Sequence, residues 1–196
     1  MSALALHRSY ARSRSLWLLP VAGVLLAAVA AALGERQVPS ALDPRALTPL
    51  WLLAVLVPAL VGAQTATVTL GDLEARHATT AARLRAAHLG ALCCSTVISC
   101  GLLTLVFPVP LVAAMAANTL GLLALALLGP VLRMPGWVLP VSTAMVSWQL
   151  GARVPELGPQ AWAWLLHEWP SPAGTGVDLV LALVAGGLWI RCGSQA

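Results

Sequence analysis

The chain has 196 residues, of which 59% are hydrophobic and only 9% charged, and its mean hydropathy is +0.86. So little charge cannot cover the surface of a water-soluble domain, which leaves lipid as the expected solvent. The net charge of +4 rests on eleven basic residues, all arginine. Without lysine no phosphate-binding loop ending Gly-Lys-Ser/Thr can form, and ATP hydrolysis by that route is excluded.

Residues 1–14 carry Arg8, Arg12 and Arg14 with Leu4, Leu6 and Tyr10 between them. This spacing predicts a short basic helix lying at an anionic membrane surface. The apolar run 15–34 follows. It is too long for a signal-peptide core and shows no separate small-x-small cleavage site, so a retained first span is expected. Further runs cover 49–70, 89–107, 111–132, 137–150 and 177–190. Phe107-Pro108-Val109-Pro110 makes a tight turn between the third and fourth, while the fifth is short and interrupted by Pro140. A spanning helix needs ~20 apolar residues, so six of them leave only short loops. The expected fold class is all-α: a polytopic membrane protein of about six helices, with residues 1–196 forming one transmembrane domain.

The arginines orient these helices. With the N-terminus in the cytoplasm, Arg8, Arg12, Arg14, Arg76, Arg83, Arg85, Arg133 and Arg191 fall inside, against Arg36, Arg45 and Arg153 outside. That bias places both termini in the cytoplasm. The lysine-free, alanine- and leucine-rich composition suggests a GC-rich bacterial genome, hence the bacterial plasma membrane.

Two segments are not simple spans. DLEARHATTAARLRAAH (72–88) is a good helix former on which Leu73, Ala81, Leu84 and His88 share a face. Asp72 and Glu74 near its start and Arg83 and Arg85 near its end complement the helix dipole. It reads either as an ordinary basic loop or as a helix that docks on a cytoplasmic partner. On the other side, 151–176 is punctuated by Pro155, Pro159, Pro170 and Pro172 around a stretch too short to span. That stretch carries Trp162, Trp164, Leu165 and Trp169, and tryptophan favours the headgroup level. An interfacial or re-entrant element is expected there, serving as an anchor or as something more.

Polar groups within the runs include Gln64, Ser95, Ser99, Asn118 and Thr119. Helix packing accounts for most of them, but Gln64 and Asn118 carry amides that must find several partners. Asp178 is placed at the outer end of the last span, which leaves no ionisable residue at the centre of any span. This argues against an ion-coupled transporter acting alone. Cys93, Cys94, Cys100 and Cys192 read as buried thiols. The four histidines are scattered, so neither a metal centre nor a cofactor is expected on this chain, and no basic domain offers a nucleic-acid surface.

The plan of six spans, a basic surface helix, a cytoplasmic helix after the second span and an amphipathic outer element resembles the permease of ABC-type exporters of the ABC-two class. LGDLEARHATTAARLRAAHLGAL (70–92), AANTLGLLALALLG (116–129) and WAWLLHEWP (162–170) are similar to actinobacterial permease-like membrane proteins. The resemblance implies an efflux subunit, not itself an enzyme, that couples to a separate nucleotide-binding ATPase. The coupling would run through Asp72, Glu74, Arg76, Arg83 and Arg85. Trp162, Trp164, Leu165 and Trp169 would gate the outer side or anchor it. A homodimer or a sister permease would be needed to enclose a path. The competing reading is a non-transporting subunit that assembles a larger membrane complex.

Overall fold

The structure, a computed structural model, describes residues 15, 17–33, 36–39, 47–50, 54–67, 78–151 and 172–192. Six α-helices are present among them: α1 (Leu18–Leu33), α2 (Leu56–Thr67), α3 (Ala78–Leu103), α4 (Val109–Val131), α5 (Val138–Val146) and α6 (Pro172–Cys192). A π-helical turn, Ser147–Gly151, continues α5. Three helices, α3, α4 and α6, are long and apolar enough to cross a membrane, while α1 and α2 are shorter apolar helices.

Proline placement and one cap account for several of the helix ends. Pro20, Pro58 and Pro140 all sit in first turns, where the missing N–H costs nothing. Pro140 therefore does not break the fifth apolar run. The Pro108 and Pro110 pair ends α3 and starts α4, with Pro108 extended at the N-cap of α4. At the other end of α4, Arg133 adopts a left-handed φ of 60°. The Met134 N–H bonds the Gly129 carbonyl at 2.9 Å, and the Arg133 N–H bonds Pro130 at 3.2 Å. That is a Schellman cap with arginine in the position glycine usually takes.

The second apolar run departs from its expected extent of 49–70. Leu47–Pro49 pairs instead with Gln37–Pro39 as strands β2 and β1, antiparallel, with Val38 opposite Thr48. A further bond from the Leu50 N–H to the Arg36 carbonyl, at 2.8 Å, extends the ladder. The β-branched pair suits a ladder, and the prolines stand at strand ends where a lost donor matters least.

α4 is the centre of the bundle. It packs most extensively on α6, then on α2, with α5 and α3 completing its surroundings. Two apolar cores stack along it. Leu26, Ala54, Leu103, Met115 and Leu122 fill one half, and Leu19, Leu92, Leu127, Ala185 and Trp189 fill the other. The outer helices bury one stripe only. On α1 that stripe is Leu19, Ala22, Gly23, Leu26 and Ala30, the i, i+3, i+4, i+7 pattern. The opposite faces are exposed yet equally apolar: Val97 is 71% exposed and Leu183 77%. A helix apolar all round, exposed on one side, is matched to hydrocarbon rather than to water.

Small residues set the helix spacing. A side chain at Gly186 would press on Leu89, as close approach through small residues requires. Pro130 cannot donate to the Ala126 carbonyl, and Gly136 lies against that carbonyl, where a Cβ would come within 3.0 Å. The same fold-back brings the Gly136 Cα within 2.6 Å of where a Cβ on Gly129 would stand.

Candidate functional site

The sequence 78–103 holds alanine, arginine and leucine with no proline before Pro108, so nothing interrupts the helix. Consequently α3 is one continuous helix of 26 residues. The expected boundary between a helix ending at residue 88 and a span starting at residue 89 does not exist. Residues 78–88 are instead the first turns of the same rod. Ala81, Leu84 and His88 are buried together, as the shared-face reading expected; Leu73 lies outside the described residues.

That burial sorts the proposed coupling residues. Arg83 is exposed, on the face away from the bundle. Arg85 belongs to the buried stripe with Ala81, His88 and Leu92 and is only 5% exposed. It is therefore not a surface contact, because four-residue spacing points it inward with its neighbours. Asp72, Glu74 and Arg76 lie outside the described residues, as do Trp162, Trp164, Leu165 and Trp169.

One turn beyond Arg85, His88 ties three helices together. Its Nε2 lies 3.1 Å from the Thr65 hydroxyl of α2, and that hydroxyl donates to the Gly62 carbonyl at 3.0 Å. The Thr65 hydroxyl can both donate and accept, so it links the imidazole to the backbone of α2. The imidazole also meets Trp189 of α6 edge to face, at 5.3 Å between ring centres and 81° between planes, within the favourable range for aromatic pairs. Trp189 is fully buried. Sequence reasoning placed His88 at a membrane edge and gave Trp189 no role. The available signal was the buried-stripe spacing through residues 81, 84, 85, 88 and 92.

A second polar contact lies deeper. Asp178 is 1% exposed, and its carboxyl group packs on Gly121, whose absent Cβ would stand 2.8 Å from the Asp178 Cγ. Gly121 is at the middle of α4, so Asp178 is not at the end of the bundle. The expectation that no ionisable group lies at mid-bundle depth fails here. α6 starts at Pro172 rather than near residue 177, and its offset against α4 brings Asp178 to the helix centre. Asn118, one turn from Gly121, is buried, whereas Gln64 is exposed on α2. The two amides thus occupy different environments.

The hydroxyls along the rest of α3 serve packing. Ser95 Oγ donates to the Leu19 carbonyl at 2.8 Å, joining α3 to α1. Thr96 and Ser99 bond carbonyls one turn back on α3. The thiols are not buried as expected: Cys93, Cys94 and Cys192 are exposed and Cys100 is half-buried. Cys93 and Cys94 fall on the outer face of α3, where a small hydrophobe needs no burial inside protein, while Cys100 packs against the core. Among the described residues, no three His, Cys, Asp or Glu side chains group as metal ligands.

The chain matches no family model, no curated protein and no solved structure.

Proposed function

We propose that this chain is the membrane-spanning subunit of an ATP-driven efflux transporter, of the plan seen in ABC-two-class permeases, working with a separate ATPase chain. On this reading the six helices span a bacterial plasma membrane with both termini in the cytoplasm. Two copies, or one copy and a sister permease, enclose the path. The supporting observation is the continuity of α3. Its 26 residues rise roughly 39 Å, longer than the ~30 Å hydrocarbon core. Its first turns, with Arg83 outward, therefore stand beyond the core while its last turns reach the opposite half.

A push on the Arg83 end moves α3 as a rod. Arg83, with Asp72, Glu74 and Arg76 preceding α3, supplies the contact, and the buried Arg85 and the His88 latch lie behind it. That latch is a hydrogen bond worth about 0.5–1.5 kcal/mol net and an aromatic contact worth about 0.5–1.5 kcal/mol, weak enough to yield when α3 shifts. Trp162, Trp164, Leu165 and Trp169 form the outer gate or interface anchor, and Asn118 and Gln64 the polar groups within the spans.

The dense packing of α4 on every side favours a second reading, a non-transporting subunit that holds a larger complex together. Purification from native membranes in mild detergent separates the two. A transporter subunit brings down a polypeptide with a Gly-Lys-Ser/Thr loop and vanadate-sensitive ATPase activity. A stable complex lacking any such polypeptide would leave the assembly reading in its place.

A further inference from the structure

The turn between α4 and α5 sets a cation among exposed apolar side chains. Leu132, Met134 and Trp137 are exposed around an equally exposed Arg133. Arg133 also holds a left-handed φ of 60°, a conformation that costs arginine what it does not cost glycine. A residue kept against such a cost points to a contact made by its side chain. The last carbonyls of α4 favour a cation there, but they do not account for the apolar side chains on either side of it.

Depth, shape and charge narrow what this turn meets. α4 has 23 residues and rises roughly 35 Å, a little more than the ~30 Å hydrocarbon core, so its end stands at headgroup level. The turn does not project beyond that level. The Met134 N–H bonds back to the Gly129 carbonyl at 2.9 Å, and Gly136 folds down beside α4 to lie against the Ala126 carbonyl and Ala63 of α2. A turn held flush with the helix ends is poorly placed to reach a protein in the water, unlike the first turns of α3. α3 starts at this end and α6 finishes there, with Trp189 in the same core as Leu127, so the exposed Arg83 and Arg191 share the end with Arg133. Asp178, the single acid among the described residues, lies roughly 16 Å back along α6 from Trp189 at ~1.5 Å per residue. We propose that the turn Leu132–Trp137 is a binding site for an anionic phospholipid headgroup. The Arg133 guanidinium pairs with the phosphate through its planar fork of donors. Trp137, Leu132 and Met134 seat in the boundary between headgroups and acyl chains, the level that tryptophan favours. The inference rests on the membrane placement of the bundle and not on its coupling to ATP.

The test is to reconstitute the full chain in vesicles of equal parts phosphatidylglycerol and phosphatidylcholine. A photoreactive benzoylphenylalanine replaces Met134, or Leu183 on the exposed face of α6 as the bulk reference. After irradiation, mass spectrometry gives the ratio of phosphatidylglycerol to phosphatidylcholine adducts. At Met134 this ratio should exceed the Leu183 ratio by about fivefold, the size expected of one arginine at a charged membrane surface. Arg133→Gln and Arg133→Gly should bring it down to the bulk ratio, Arg133→Lys should keep most of it, and Arg83→Gln should leave it standing. Because Arg133→Gly relieves the left-handed backbone, loss of enrichment in that variant cannot come from a damaged turn. Equal ratios at Met134 and Leu183, or enrichment indifferent to Arg133→Gln, would overturn the site and leave the membrane placement standing. Enrichment abolished by inorganic phosphate, but not by chloride at the same ionic strength, would overturn it in favour of a free-phosphate site. Protein adducts from Met134 in native membranes, in place of lipid adducts, would overturn it in favour of a protein contact. Absence of lipid adducts at both positions would sink the membrane placement as well.

Discussion

Replacing Gly121 by alanine is the sharpest perturbation of the α4–α6 seam. The new methyl group would stand 2.8 Å from the Asp178 Cγ and 3.5 Å from its Cβ, and Asp178 is 1% exposed, so its carboxyl group has little room to swing away. Overpacking of this kind costs about 1–3 kcal/mol. Against it stands the gain from alanine over glycine in a helix, about 0.8–1.0 kcal/mol, so the net loss in the single variant is modest. The decisive quantity is the difference between backgrounds. In Asp178→Ala the obstruction is gone and only the propensity gain remains. The cost of Gly121→Ala should therefore be smaller there by the whole overpacking figure, about 1–3 kcal/mol. Chemical or thermal unfolding in micelles, run on both single variants and the double variant, measures this coupling. A coupling near zero would refute the placement of Asp178 against Gly121.

Other perturbations probe other contacts. Thr65→Val removes the hydroxyl that His88 Nε2 meets and should cost about 1–3 kcal/mol; the double variant with His88→Phe should cost less than the sum, and strict additivity would deny the contact. Arg133→Gly relieves a left-handed residue and should raise the unfolding temperature, by a stabilisation of about 1 kcal/mol; a lowered midpoint would contradict the Schellman cap. Gly129→Ala should destabilise by about 1–3 kcal/mol, because its methyl group meets the Gly136 Cα, and unchanged stability would argue against that fold-back. A cysteine at Thr79, in a cysteine-free background, should ignore an impermeant maleimide in intact cells and react after permeabilisation. Reaction in intact cells would invert the proposed orientation.

The existence of the helices was legible in the sequence, because apolar runs and proline punctuation are local signals. Thus the Pro108–Pro110 turn and the buried face of α3 through Ala81, Leu84 and His88 follow from spacing alone. What hydropathy misread were the boundaries. Pro49 opens the second apolar run, yet Leu47–Pro49 pairs as a strand with Gln37–Pro39, with Val38 opposite Thr48. The charged 78–88 stretch looked separate from the span because composition changes there, although nothing in the backbone breaks. The site was least legible, because Asp178 against Gly121 and His88 against Thr65 depend on the offset between helices. No single-helix pattern encodes that offset. Trp189, fully buried beside His88, lies in an apolar run in which nothing local marks its partner.

The rod-like coupling of α3 to an ATPase is tested most directly by site-specific crosslinking from its exposed first turns. A photoreactive amino acid is placed in turn at Thr79 and Arg83, both exposed, and at Arg85 as the buried control, in the complex purified from native membranes. The account predicts adducts from Thr79 or Arg83, and none from Arg85, to a polypeptide whose peptides include a Gly-Lys-Ser/Thr loop. An intact complex in which neither exposed position reaches such a polypeptide would contradict it.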